Sequence, residues 1–127
     1  MKIKNIDHIV IPVSDIDKSL HFYTKVLGME ADTSNQRFAV KFGNQKINLH
    51  EKGKEFEPKA GHPTPGSADL CFITAEPISD VIQHLASCGL SVIEGPIQRT
   101  GATGPILSIY LRDPDANLIE ISNQLNV

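Results

Sequence analysis

Two side chains with metal-binding chemistry, His8 and Glu120, lie on the first and the last predicted strands of the chain. His8 lies on the polar side of an apolar alternation, and Glu120 lies between Ile119 and Ile121, so both side chains are predicted to point away from the apolar faces of their strands. A carboxylate in such a setting needs a partner, because its desolvation is costly. A divalent cation is one partner, and an ion pair with Arg112 or Lys46 is the other. The two residues alone leave both interpretations open.

A second group of polar residues could bind a substrate. Arg99 opens the segment 99–104, where a fixed cation is followed by residues with flexible backbone, which is typical of an anion site or a lid. Arg99 is therefore predicted either to bind a carboxylate or phosphonate or to be a solvated loop residue. Ser108 and Tyr110 alternate on one predicted strand, and both are predicted to line the substrate site. The alternative for Tyr110 is a buried side chain with a hydrogen-bonded hydroxyl.

The composition limits the class of protein. The chain has 127 residues, of which 40% are hydrophobic and 21% are charged, and this is typical of one globular domain. A net charge of −3 without a basic run argues against nucleic acid as a partner. No apolar run approaches the length of a membrane span. The only cysteines, Cys71 and Cys88, are interpreted as buried thiols of a cytoplasmic protein.

One pattern of elements occurs twice in the chain. An alternating strand (3–13) precedes an amphipathic helix that starts after Asp15 and stops at Gly28, and three short strands follow. A second strand (68–74), a helix from Pro77 to Gly89 and three more strands repeat the order. The three-strand groups are predicted at 29–34, 37–43 and 46–51, and at 91–96, 106–112 and 117–122.

A fixed offset of 61 residues relates the two copies, since it carries His8 to Asp69 and Gly28 to Gly89 without a gap. The sequence therefore predicts an α+β fold of two βαβββ modules in a single domain. Module one covers residues 1–51, a linker covers 52–66, and module two covers 67–127. A duplicated unit buries its open face against another unit, which predicts a cleft shared by the two modules.

Several motifs resemble the vicinal oxygen chelate superfamily, which comprises the glyoxalase, bleomycin-resistance and extradiol-dioxygenase group. They are DHI at residues 7–9, FYTKVLGM at 22–29 and DPDANLIEI at 113–121. Further segments resemble the subgroup of glyoxalase domain-containing protein five, for which no substrate is settled. These segments are NLHEKGKEFEPKA at 48–60, HP at 62–63, PGS at 65–67 and RTGA at 99–102. The resemblance implies that the two modules form an incomplete barrel around the cleft.

The resemblance also implies metal binding through His8 and Glu120. Asp69 stands where related metal enzymes usually carry histidine, and Asn48 stands where glyoxalase I has glutamate. His50, two residues further along the same strand face, is the predicted replacement for Asn48, which is left as a substrate contact. These four ligands suit Zn, Mn, Ni or Fe(II), whose identity stays open. The implied Lewis-acid chemistry would assign Glu120 the role of base.

The predicted function is that of a metal-dependent enzyme, a lyase, an isomerase or a thiol transferase, that chelates a small oxygen-rich metabolite. Ligand binding without catalysis, as in bleomycin-resistance proteins, is the first alternative, although the chain has no Trp and only two Tyr. Extradiol ring cleavage is the second. The protein is expected to be a homodimer, with no membrane partner.

Overall fold

The computed structural model describes residues 1–126, which divide after Ser67 into two compact units. Val127, the last residue of the predicted second module, lies outside the described residues. Each unit has a strand, a helix and three further strands, so the predicted α+β fold of two βαβββ modules is confirmed. The shared cleft concerns both units together and stays a prediction. None of the helices in the described part of the chain is long and apolar enough to span a membrane.

The first unit is a four-stranded sheet with one longer helical segment and a short 3-10 helix (Ser34–Gln36). Its strands are β1 (His8–Val13), β2 (Glu30–Asp32), β3 (Phe38–Phe42) and β4 (Gln45–Glu51), in the spatial order β1-β4-β3-β2. Strand β1 runs parallel to β4, and the other pairs are antiparallel. Asp15 caps helix α1 (Ile16–His21) by accepting a hydrogen bond from the Lys18 amide at 3.0 Å. The sheet is open, with β1 and β2 at its edges.

Helix α1 continues as one turn of π-helix (Phe22–Val26) that buries Phe22, Tyr23 and Val26. The Leu27 amide donates to the Phe22 carbonyl, five residues back, at 3.0 Å. The predicted single helix is therefore found with a wider last turn. The first predicted strand is also shorter than expected, because it begins at His8 and leaves the apolar side chains of Ile3 and Ile6 exposed.

The second unit repeats this topology. Strands β5 (Asp69–Ile73), β6 (Glu94–Gly101), β7 (Gly104–Arg112) and β8 (Leu118–Gln124) lie in the order β5-β8-β7-β6, again with the first and last strands parallel. Helix α2 (Ile78–Ser87) buries Ile78, Val81 and Leu85. Its first amide is capped by the Asn123 side chain at 2.9 Å, so the end of β8 fixes the start of the helix.

Two predictions about this unit are wrong. Residues 99–101 belong to strand β6 and not to a loop, because a hairpin turn at Ala102 and Thr103 pairs Gly101 with Gly104. Both cysteines are exposed and not buried. Cys71 faces away from the side of the sheet that packs on α2, and Cys88 follows the last helical residue.

Candidate functional site

A cavity of about 510 Å³ lies on the face of the second sheet that is remote from helix α2. Three of the residues predicted to act in a site line it: Arg99, Tyr110 and Glu120. Cys71, Gln124 and the turn of the β6–β7 hairpin complete much of the wall. The structure thus brings together, within one unit, a carboxylate, a guanidinium and a phenol.

Pairing with the neighbouring strands places Glu120 on this face. Tyr110 of β7 and Cys71 of β5 are its partners on either side. The side chains of Ile119 and Ile121, which point the other way, are 0% and 7% exposed in the core. This alternation orients the half-buried Glu120 side chain towards the cavity, as the sequence predicts.

Glu120 forms no ion pair within residues 1–126, so the alternative interpretation as a partner of Arg112 or Lys46 is not observed. Arg112 instead donates to the Ala116 carbonyl at 3.3 Å. A carboxylate that is half-buried in a cavity and forms no ion pair is able to bind a cation.

The Cys71 thiol next to Glu120 is not prepared to act as a nucleophile. Burial raises its pKa, and the negative charges of Glu120 and Asp69 raise it further. A hydrogen bond with Ser122 at 3.4 Å lowers the pKa but does not outweigh these effects. A raised pKa keeps the thiol protonated at neutral pH, although the residue is exposed. The raised pKa therefore argues against Cys71 as a nucleophile in this cavity.

Arg99 is oriented by a hydrogen bond to Tyr110 and forms an ion pair with Glu94. Its Nε donates to the Tyr110 hydroxyl at 3.0 Å, and its Nη2 lies 3.6 Å from Oε1 of Glu94. The contact with Tyr110 is the main cause that raises the pKa of Arg99, with Glu94 and Glu120 as lesser causes. The guanidinium is thus a fixed cation whose remaining N–H groups can bind an anion.

Ser108 lies beneath the cavity rather than in its wall. It is fully buried, and its hydroxyl forms a 2.7 Å hydrogen bond with that of Ser122 on β8. Ser108 therefore links β7 to β8 under the cavity, and its prediction as a substrate contact stays untested.

Asp69, the third candidate in this unit, begins strand β5 and pairs with Leu118. It is exposed on the same face as Cys71 and Glu120. The carboxylates of Asp69 and Glu120 therefore share one face of one sheet. Across the described residues, however, no three His, Cys, Asp or Glu side chains lie close enough together to hold a metal ion.

In the first unit, His8 is oriented by Asp7, which was not predicted to act in the site. Its Nδ1 lies 2.8 Å from Oδ2 of Asp7. When Nδ1–H donates to this carboxylate, Nε2 carries the free lone pair, which is the usual arrangement of a metal-binding histidine. A carboxylate directly before a candidate ligand was the available sequence signal.

His50 lies far from His8 along the sheet. Their partners in the register are Pro12 and Lys46, so four residues, or about 13 Å at 3.3 Å per residue, separate the two rows. Asn48, opposite Val10, lies one pleat nearer to His8. Within this unit, the spacing favours Asn48 over His50 as the residue that could share an ion with His8.

The His50 ring is instead engaged by the segment after β4. It packs edge-on against Phe56 at 5.3 Å between centroids, and the Arg37 guanidinium lies 4.0 Å from the Phe56 centroid. Burial lowers the pKa of His50, and the charge of Arg37 adds to this effect. The neutral imidazole is thereby favoured, but nothing in the sequence pattern indicated this stack.

Comparisons with known proteins place the chain among similar sequences. A family model described as Glyoxalase/Bleomycin resistance protein/Dioxygenase superfamily matches residues 5–121. The virulence protein STM3117 of Salmonella typhimurium is 61% identical over 123 residues, which are 96% of this chain and 85% of that protein. The glyoxalase domain-containing protein RDO1 of Mycosarcoma maydis is 56% identical over 124 residues, 97% of this chain and 70% of that protein.

Solved structures show the same similarity. The crystal structure of STM3117 has a TM-score of 0.96 at 60% identity and covers 98% of this chain and 100% of its own. The integron cassette protein VCH_CASS1, from the mobile metagenome of V. cholerae, has a TM-score of 0.95 at 53% identity, with 98% of each chain covered.

Proposed function

Because the chain belongs to the Glyoxalase/Bleomycin resistance protein/Dioxygenase superfamily, we propose that it is a metal-dependent enzyme that acts on a small oxygen-rich metabolite. The observation that carries this proposal is the Glu120 carboxylate, which faces a cavity of about 510 Å³ and forms no ion pair in the described part of the chain. A cavity of this volume suits a metabolite rather than a macromolecule.

The donor chemistry supports a divalent cation. His8, with its Nδ1 held by Asp7, offers an imidazole nitrogen, and Asp69 and Glu120 offer carboxylate oxygens. We propose these three residues as metal ligands, with Asn48 or His50 as the fourth. Nitrogen and oxygen donors of this kind suit Zn, Mn, Ni or Fe(II). When bound, such an ion would act as a Lewis acid on a substrate oxygen.

The residues of the cavity have complementary roles in the proposed reaction. Glu120 takes a proton from the substrate, because it is the carboxylate among the residues that line the cavity. Arg99 binds an anionic group of the substrate, and Tyr110 positions the guanidinium. The protonated Cys71 thiol takes no part, which separates this proposal from covalent catalysis.

A thermal-shift experiment tests the proposal. Chelator-treated protein is heated with 2-hydroxy and 2-oxo acids, each with and without Zn²⁺, Mn²⁺, Ni²⁺ or anaerobic Fe²⁺. We expect one ion to make an acid stabilising, and a ligand at 100 times its Kd adds about 2.7 kcal/mol to the free energy of unfolding. For a chain of this length the Tm rises by roughly 8 °C.

Glu120→Gln should lose this joint effect, whereas Glu76→Gln, which removes an exposed carboxylate of the same unit, should keep it. Acids that stabilise the wild type equally well without any ion would indicate a metal-free binding protein and contradict the proposal. An unchanged response of Glu120→Gln would also contradict it.

A further inference from the structure

Strand β6 carries a bulge that brings a second carboxylate to Arg99. Glu94 is opposite Tyr110 and Ile97 is opposite Ser108. Between these two pairs the chain advances by three residues along β6 but by only two along β7, so β6 has one extra residue. Gly95, inside the bulge, has a φ of +101°, and a Cβ built on it would lie 2.4 Å from the Ser108 carbonyl oxygen. Only glycine fits this position, so the bulge depends on Gly95.

Glu94 approaches Arg99 from outside the cavity. Arg99 and Tyr110 are lining residues, whereas Glu94 is not. The side chains of Glu94 and Arg99 are 58% and 40% exposed, and their closest atoms are 3.6 Å apart. A substrate anion can therefore reach the guanidinium from the cavity while Glu94 stays in place.

We propose that Glu94 sets the affinity of Arg99 for oxyanions, and that the cavity selects substrates bearing a carboxylate or phosphate group. The substrate part of this inference rests on the proposed function. The anion site itself consists of Arg99, oriented by Tyr110, with Glu94 beside it, and it operates without a metal ion.

The two partners of Arg99 have different roles, as their distances indicate. The 3.0 Å hydrogen bond to Tyr110 fixes the orientation of the guanidinium. The 3.6 Å contact with Glu94 is longer than the 2.7–2.9 Å typical of a charge-assisted hydrogen bond, so Glu94 contributes mainly charge. This negative charge opposes an incoming anion. Without Glu94, only the charge of Glu120 in the cavity wall would oppose an anion, and the site would bind small anions more tightly.

The test is a titration of ¹⁵N-labelled, chelator-treated protein with sodium acetate and, separately, with inorganic phosphate. The Nε–H resonance of Arg99 reports binding in the variants that keep Arg99, and the backbone amide resonances of the β6–β7 turn report it in all of them. The acetate and phosphate arms distinguish a carboxylate site from a phosphate site. We expect Glu94→Gln to bind the preferred anion roughly three- to tenfold more tightly than the wild type, because one opposing charge is removed from a solvent-exposed setting. Arg99→Gln should lose the binding.

Glu57→Gln is the matched control, because it makes the same change in net charge on the first unit, where Glu57 pairs with Lys59. Its affinity should equal that of the wild type. If Glu94→Gln binds no more tightly than Glu57→Gln, or if Arg99→Gln still binds the anion at this site, the inference is wrong. Neither result bears on metal binding by Glu120, so a failure here is distinct from a failure of the proposed function.

Discussion

Gly95→Ala is expected to destabilise the protein by about 3 kcal/mol, because it adds a side chain where the backbone has no room. The new Cβ would lie 2.4 Å from the Ser108 carbonyl oxygen, which belongs to the neighbouring strand and cannot rotate away. The φ of +101° adds strain for any residue with a Cβ. Equilibrium unfolding in urea should show this loss, and the Tm should fall by roughly 10 °C.

Gly61→Ala is the control for this variant. Gly61 is exposed, a Cβ built on it meets nothing within 4 Å, and its φ is not in the left-handed region. This substitution should be neutral or slightly stabilising, because alanine restricts the unfolded chain. Equal stability of the two variants would show that the bulge in β6 tolerates a side chain. The claim that Gly95 fixes the bulge, and with it the position of Glu94, would then fail.

Asn117→Ala is expected to cost about 3 kcal/mol, because the buried Asn117 connects Asp113, in the turn before β8, to the start of β5. Its Nδ2 donates to the Asp113 carboxylate at 2.8 Å, and its Oδ1 accepts from the Ala68 amide at 2.8 Å. Asn117 is 1% exposed and Asp113 is 5% exposed, so water cannot replace the lost side chain. Thermal or urea unfolding measures the effect.

The exposed Asn44, in the turn between β3 and β4, provides the matched control. Asn44→Ala should change the stability by less than about 0.5 kcal/mol. If Asn117→Ala were as stable as Asn44→Ala, the turn would not be what holds β8, and with it Glu120, in register.

The order of elements could be predicted from the sequence because each element carries a local signal. The alternation of Ile9, Ile11 and Val13, the cap at Asp15 and the positive-φ glycines Gly28 and Gly89 at the helix ends are short-range features. The offset of 61 residues then predicted that the second copy would repeat the first. The orientation of Glu120 followed from the same period of two.

The site was predictable only in part, because its details depend on pairing between strands. The Gly-rich segment after Arg99 suggested a loop. Pairing with β7 instead extends strand β6 to Gly101 and places Arg99 beside Tyr110. The pairing of Glu94 with Arg99 depends on a bulge, which no periodicity indicates. The engagement of His50 by Phe56 and Arg37 joins residues from three separate segments and left no local pattern.

The central claim, that His8 and Glu120 bind a catalytic metal ion, is tested most directly by elemental analysis. Untagged protein is purified without chelator, beside His8→Ala, Glu120→Gln and the control Glu76→Gln. We predict near-stoichiometric divalent metal in the wild type and in Glu76→Gln, and its loss in the other two variants. Absence of metal from the wild type even after reloading, or full metal content in both His8→Ala and Glu120→Gln, would contradict the claim.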